Sequence, residues 1–205
     1  MSGVRFAYRP KGFVLDIPAL RFEPGLTLLL GENGAGKSTL LRVAAGVERP
    51  DTGTVTIGGH DLWVEEVAAR SLLAYVPDDP DLVPYATVGE ILLLVARLRA
   101  KPDQDADRAL DEVGLSKYAR RSPRDLSLGQ QRRVALAAAT IGEPRVLLLD
   151  DPLEALDDAM RSRALAWIGA RVEAGATVVV STHEIPAFAP WETARVRLAA
   201  GRLSA

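Results

Sequence analysis

Cysteine is missing from this sequence altogether. Its absence excludes a disulfide scaffold, a thiolate zinc site and a cysteine nucleophile. Histidine is nearly missing too, with only His60 and His183, so a His-rich metal centre is not expected. Charge of either sign is not in excess: Lys plus Arg is 25, Asp plus Glu is 27, and the formal net charge is −2. That balance argues against a dedicated nucleic-acid binder, which carries a basic surplus. Long apolar runs are lacking as well. A stretch such as Ile91–Ala96 falls far short of the ~20 residues that span a bilayer. The first residues, Met1-Ser2-Gly3-Val4-Arg5, show no apolar signal-peptide core, so a cytoplasmic chain is expected.

What is present is an ordinary globular mixture, 48% hydrophobic and 25% charged over 205 residues, the size of one domain. Short apolar runs alternate with longer amphipathic ones, the pattern of an α/β protein. Val4–Tyr8, Val14–Leu20, Leu26–Leu30, Thr54–Ile57 and Leu72–Val76 read as strands, and Lys37–Ala45 as a helix closed by Gly46. Thr87 and Glu90 form a capping-box pair that opens a helical stretch reaching about Val113, with a break at Lys101-Pro102-Asp103. Ser127–Ala139 and Asp157–Val172 read as further helices. The runs Val146–Leu149 and Thr177–Ser181 flank the second of these, which makes a strand-helix-strand unit of a buried parallel sheet. The segment from about Asp78 to Arg124 reads as a helical insertion in the α/β core.

Three motifs carry chemistry. Gly31-Glu32-Asn33-Gly34-Ala35-Gly36-Lys37-Ser38 fits G-x-x-x-x-G-K-[ST], placed between a strand and a helix. Glycines let successive N–H groups face phosphate oxygens, the helix N-terminus adds a favourable dipole, and Lys37 and Ser38 supply a cation and a Mg²⁺ ligand. At average glycine frequency the fixed positions coincide by chance in roughly one chain per hundred, and the strand-loop-helix context makes this a phosphate-binding loop. Val146–Leu149 ends in Asp150, a carboxylate suited to holding Mg²⁺ beside that loop, and Asp151 follows where a base could polarise water. Leu126-Ser127-Leu128-Gly129-Gln130 opens an alanine-rich helix about twenty residues earlier, with serine as its cap.

In this order the motifs resemble the nucleotide-binding subunit of ATP-binding cassette (ABC) transporters, over nearly the whole chain from Tyr8 to His183. The resemblance implies a P-loop NTPase core of ABC type, with a β-rich N-terminal subdomain and a helical signature subdomain, as one domain over 1–205. It implies that ATP is bound by Tyr8, stacked on adenine 23 residues before Gly31, and by Gly31, Asn33, Gly34, Ala35, Gly36, Lys37, Ser38 and Thr39. Ser127, Gly129 and Gln130 of the signature would complete the site across a dimer interface, where Asp157 marks the D-loop. Lys37, Asp151 and His183 are the implied catalytic residues, with Ser38, Asp150 and Asp78 around Mg²⁺. Three positions depart from the family: Leu128 replaces the first signature glycine, Asp78 stands for the usual Q-loop glutamine, and Asp151 stands for the usual glutamate.

The implied function is ATP binding and hydrolysis that powers transport by a separate membrane-spanning partner, touched around Asp78–Leu98. The implied partners are a second ABC ATPase subunit and integral membrane subunits, with no nucleic acid. The chain would lie at the inner face of the cell membrane. A soluble ABC ATPase acting on a non-membrane partner and a slow-turnover nucleotide clamp are the alternatives. His60 reads as a surface turn residue and Glu154 as an exposed D-loop residue.

Overall fold

The computed structural model describes residues 1–8 and 12–204. The elements run β1 (Ser2–Ala7), β2 (Val14–Ala19), β3 (Gly25–Leu30), α1 (Lys37–Ala45), β4 (Thr52–Thr54), β5 (Thr56–Ile57), β6 (His60–Asp61), α2 (Glu66–Ser71) and β7 (Leu73–Val76). They continue with α3 (Val88–Leu98), α4 (Gln104–Glu112), α5 (Leu128–Thr140), β8 (Val146–Asp150), α6 (Asp158–Glu173), β9 (Thr177–Ser181), α7 (Ile185–Phe188), β10 (Glu192–Ala199) and β11 (Arg202–Ser204).

Nine strands join in one sheet in the order β4-β1-β2-β11-β10-β3-β9-β8-β7. From β10 to β7 neighbouring strands are parallel, while the β1–β2, β1–β4 and β10–β11 pairs are antiparallel. The mixed α/β fold expected from the sequence is therefore present, with β8-α6-β9 as its parallel unit. The expected strand at Thr54–Ile57 is split into β4 and β5, and β5 pairs with β6 in a separate two-stranded ribbon. His60 lies in that ribbon, not in a turn, and its Nδ1 sits 3.0 Å from Glu65 Oε1.

Both faces of the parallel part are buried, because successive residues of a strand alternate sides. Leu26 and Leu28, Leu147 and Leu149, and Val178 and Val180 join one core with residues of α3, α4, α5 and α6. Leu29, Leu148 and Val179 turn to the other core, with Leu40, Leu41 and Val43 of α1. That is why these strands read as unbroken apolar runs.

The helices between β7 and β8 are capped as their sequences suggest. Thr87 and Glu90 form a reciprocal capping box at α3, and Ser127 and Gln130 form another at α5. Arg99, just past α3, donates to the carbonyls of Ala138 (3.0 Å) and Ile141 at the end of α5, and to Leu73 O on β7 (3.3 Å), which ties the helices to one another and to the sheet. Arg99→Ala leaves those carbonyls without a charged donor. It should lower the unfolding free energy by about 2 kcal/mol, measured by urea denaturation; a change within experimental error would show that water replaces the guanidinium.

Candidate functional site

Four strands deliver the candidate residues to one edge of the sheet. Parallel neighbours end together: Val76 is level with Leu149, Asp150 with Ser181, and Leu29 with Ser181 on the other side. The residues that follow these ends, Asp78, Asp151, His183 and the loop from Gly31, therefore gather at the carboxyl edge, where open α/β sheets bind ligands. They surround a cavity of about 750 Å³ lined by Tyr8, Phe13, Asn33, Gly34, Gly36, Lys37, Ser38, Thr39, Asp78, Asp150, Asp151, Glu154, His183 and Glu184.

The loop from Gly31 to Gly36 ends in Gly36, which caps α1 with φ 102°, a left-handed conformation that disfavours any Cβ. A Cβ there would also overlap the Phe13 ring. Lys37 is buried, and its Nζ donates to the carbonyls of Gly31 (2.8 Å) and Glu32 (3.2 Å). An ammonium has three protons, so one remains for an anion. The loop is braced from outside by the β10–β11 turn, where Gly201 N–H donates to Ala35 O at 2.9 Å. Among the expected loop residues, Gly31 and Ala35 form this base and do not line the cavity.

Asp150 is only 3% exposed and accepts a hydrogen bond from Ser181 Oγ. Asp151 has φ 41°, and its Oδ1 accepts from the His183 N–H at 3.3 Å, with His183 Nε2 4.0 Å from Oδ2. Burial pushes the Asp151 carboxyl above its ordinary range, and the nearby His183 opposes that shift. Burial likewise raises Asp78, opposed by the Arg132 guanidinium and helped by Glu154 and Asp150. Tyr75, half-buried on β7, is pushed up to about 12 by burial and by Asp150.

The structure thus brings Tyr8, Asn33, Gly34, Gly36, Lys37, Ser38, Thr39, Asp78, Asp150, Asp151 and His183 to one cavity. It does not bring Ser127, Gly129 and Gln130 there. Those residues open α5, where Gly129 packs so closely on the D-loop that a Cβ would lie 2.7 Å from Ala155 O. Asp157 caps α6 through the Met160 N–H and pairs with Arg133. Asp78 and Glu154 are not merely solvated: both accept from Arg132 Nη2, at 2.7 and 3.1 Å.

Sequence reasoning missed Phe13, Arg132 and Glu184. Phe13 and Glu184 sit in no motif and carried no signal. Arg132 did carry one, because it shares the spacing of the buried residues Ala135, Leu136 and Ala139 and so falls on the inner face of α5.

Residues 18–154 match the family described as ABC transporter. A Fe(3+) ions import ATP-binding protein of Rhodococcus jostii is 37% identical over 193 residues, covering 91% of this chain and 55% of that protein. A sulfate/thiosulfate import ATP-binding protein of Mycobacterium bovis is 40% identical over 164 residues, covering 78% and 46%. An ABC transporter ATP-binding/permease protein of Mycobacterium tuberculosis is 36% identical over 193 residues, covering 90% and 22%. The chain spans about half or less of the length of these curated relatives. A solved ATP-binding subunit of an ABC transporter superposes with a TM-score of 0.87 at 26% identity, covering 100% of this chain and 87% of that one. A dimeric post-hydrolysis state of an ATP-binding cassette bound to ADP and Pi gives 0.85 at 25%, covering 100% and 95%.

The carboxyl end of β9 and the loop that follows it separate stability from site chemistry. Ser181→Ala deprives the buried Asp150 of its donor and should cost about 2 kcal/mol of stability. His183→Ala, at an exposed side chain, should cost no more than about 0.5 kcal/mol. Parallel urea melts check both, and equal losses would contradict the assignment of the Ser181–Asp150 bond as the structural one.

Proposed function

The chain belongs to the ABC transporter family, and from that premise we propose that it binds and hydrolyses ATP to power transport through a separate membrane-spanning partner. The observation that carries this reading is the convergence of the phosphate loop, Asp150, Asp151, Asp78 and His183 on one cavity. Tyr8 and Phe13 supply apolar ring surface on the same cavity.

The donor set fits a nucleotide with its metal. The remaining Lys37 proton and the N-terminus of α1 suit β- and γ-phosphate oxygens. A hydroxyl and a buried carboxylate, Ser38 and Asp150, suit a hard cation, with Asp78 on the adjoining wall. Mg²⁺ bound there would neutralise charge across the two phosphates. Ser181 orients Asp150 for that task, and Asp151 accepts the proton of, or orients, the attacking water. His183 would contact the γ-phosphate. Catalysis in such a site is positioning and charge stabilisation.

We assign Ser127, Gly129 and Gln130 to a second subunit's nucleotide, since none of the three lines this chain's own cavity. Two such chains, or this one and a different cassette, would close on ATP. Val83, Tyr85, Leu94 and Leu98 are apolar and exposed, Tyr85 by 88% and Leu98 by 75%. They suit docking of the membrane partner on the segment 78–98, and they would hold the chain peripherally at the inner membrane face. No described helix is itself long and apolar enough to cross a membrane.

Slow turnover is a second reading, favoured by Asp151. Its side chain is short and one oxygen already accepts from the His183 N–H, so little reach is left toward a water.

Lys37→Ala should weaken binding of a fluorescent ATP analogue by about 100-fold, as for truncation of one partner of a buried charge pair, with far-UV circular dichroism unchanged. Unaltered affinity would sink the nucleotide reading. Single-turnover hydrolysis tests the second reading: Asp151→Glu should be faster than wild type by on the order of tenfold, since ~1 Å of misplacement costs that much or more. If Asp151→Glu is no faster while Asp151→Asn is dead, the aspartate is already a competent base.

A further inference from the structure

Arg132 is a buried cation that none of the three motifs explains. The residue is 7% exposed, and its guanidinium enters from α5, behind the cavity wall. One nitrogen, Nη2, serves two carboxylates, Asp78 Oδ1 at 2.7 Å and Glu154 Oε2 at 3.1 Å. Its Nε and Nη1 are buried without a hydrogen-bond partner. Such a group is costly unless its charge is needed where it stands.

The cavity shows that need. Asp78, Asp150, Asp151, Glu154 and Glu184 all line it, and among its described lining residues Lys37 is the cation, with His183 as the other basic group. Glu184 is paired outward with Arg161. Asp150 and Glu154 are both close enough to Asp78 to act on its carboxyl electrostatically. A polyphosphate entering that lining meets an excess of negative charge.

Building on the nucleotide reading above, we propose that Arg132 is a positioning residue of the site: from behind the wall it holds Asp78 and Glu154 to α5 and cancels their charge, so that the cavity accepts a polyphosphate anion. Arg132 acts through those two side chains and does not line the cavity.

The test is a charge cycle read by binding of a fluorescent ATP analogue in EDTA, so that neither Mg²⁺ nor turnover enters. Arg132→Met keeps most of the buried volume and frees both carboxylates. It should weaken the metal-free nucleotide about tenfold, and less at high salt, where freed charges are screened. Adding Asp78→Asn and Glu154→Gln to Arg132→Met removes the freed charges and should restore affinity to within about threefold of wild type. Arg132→Lys, which keeps the charge, should stay equally close. A residue that only stabilises the fold would lower the melting temperature, and the two neutralising changes would not recover affinity. If Arg132→Met does not fold, Arg132→Gln gives the same comparison.

The proposal is overturned if Arg132→Met binds like wild type, or if the neutralised triple variant stays as weak as Arg132→Met. Failure of the wild type to bind the analogue with or without Mg²⁺ overturns the nucleotide reading and this proposal with it; binding only with Mg²⁺ overturns this proposal alone, since the cavity then does not accept the bare polyphosphate. Wild-type binding with no charge effect overturns this proposal alone.

Discussion

Register between parallel strands is the constraint on which the rest of this structure depends. Asp150 is level with Ser181, and Val76 with Leu149, because hydrogen-bonded neighbours in a parallel sheet keep step. A slip of one residue along β8 would turn Asp150 to the opposite face of the sheet and pull Leu149 out of its core. The alternating burial of Leu147, Leu148 and Leu149 opposes such a slip from both faces at once. The hydroxyl of Ser181 on the buried Asp150 is a product of the same register. Packing of apolar side chains thus sets where the charged ones stand.

Those charged residues form two tiers. Asp150 ends a strand buried on both faces, Asp151 follows it directly, and Lys37 stands on the first turn of α1, which packs on that sheet. Asp78 and Glu154 stand on loops, and what holds them is Arg132 of α5. The helical segment is therefore tied to the cavity by charge, and to the sheet by the Leu73 carbonyl that Arg99 reaches. A buried guanidinium contributes little net stability over an apolar residue of its size, so its value lies in where it places its partners.

The sequence was legible where one short stretch contains all of the required chemistry. The phosphate loop and the Thr87–Glu90 cap are local, and so were read with their boundaries nearly right. Asp157, which the sequence suggests as the D-loop mark and the first residue of its helix, is the cap of that helix. The carboxyl-terminal hairpin of β10 and β11 was not read, although Arg195-Val196-Arg197-Leu198 alternates charged with apolar residues as a strand does; the run is short, and Leu198 is the one buried side chain of β10. Yet Gly201 in its turn braces the loop at Ala35. Phe13 was invisible for a similar reason, because an aromatic at the start of a strand has no pattern to mark it.

By itself, then, the sequence determined the fold class, the phosphate loop and the carboxylates at the end of β8, because apolar periodicity and glycine placement act over a few residues. Tertiary structure alone decided that Asp78 and Glu154 share one guanidinium, that Ser181 serves Asp150, and that Ser127, Gly129 and Gln130 do not line the cavity. Each of these joins residues distant in the chain, and such pairs are set by how the helices pack on the sheet. Residue type shows that an arginine can pair with a carboxylate; only the packed fold shows which one.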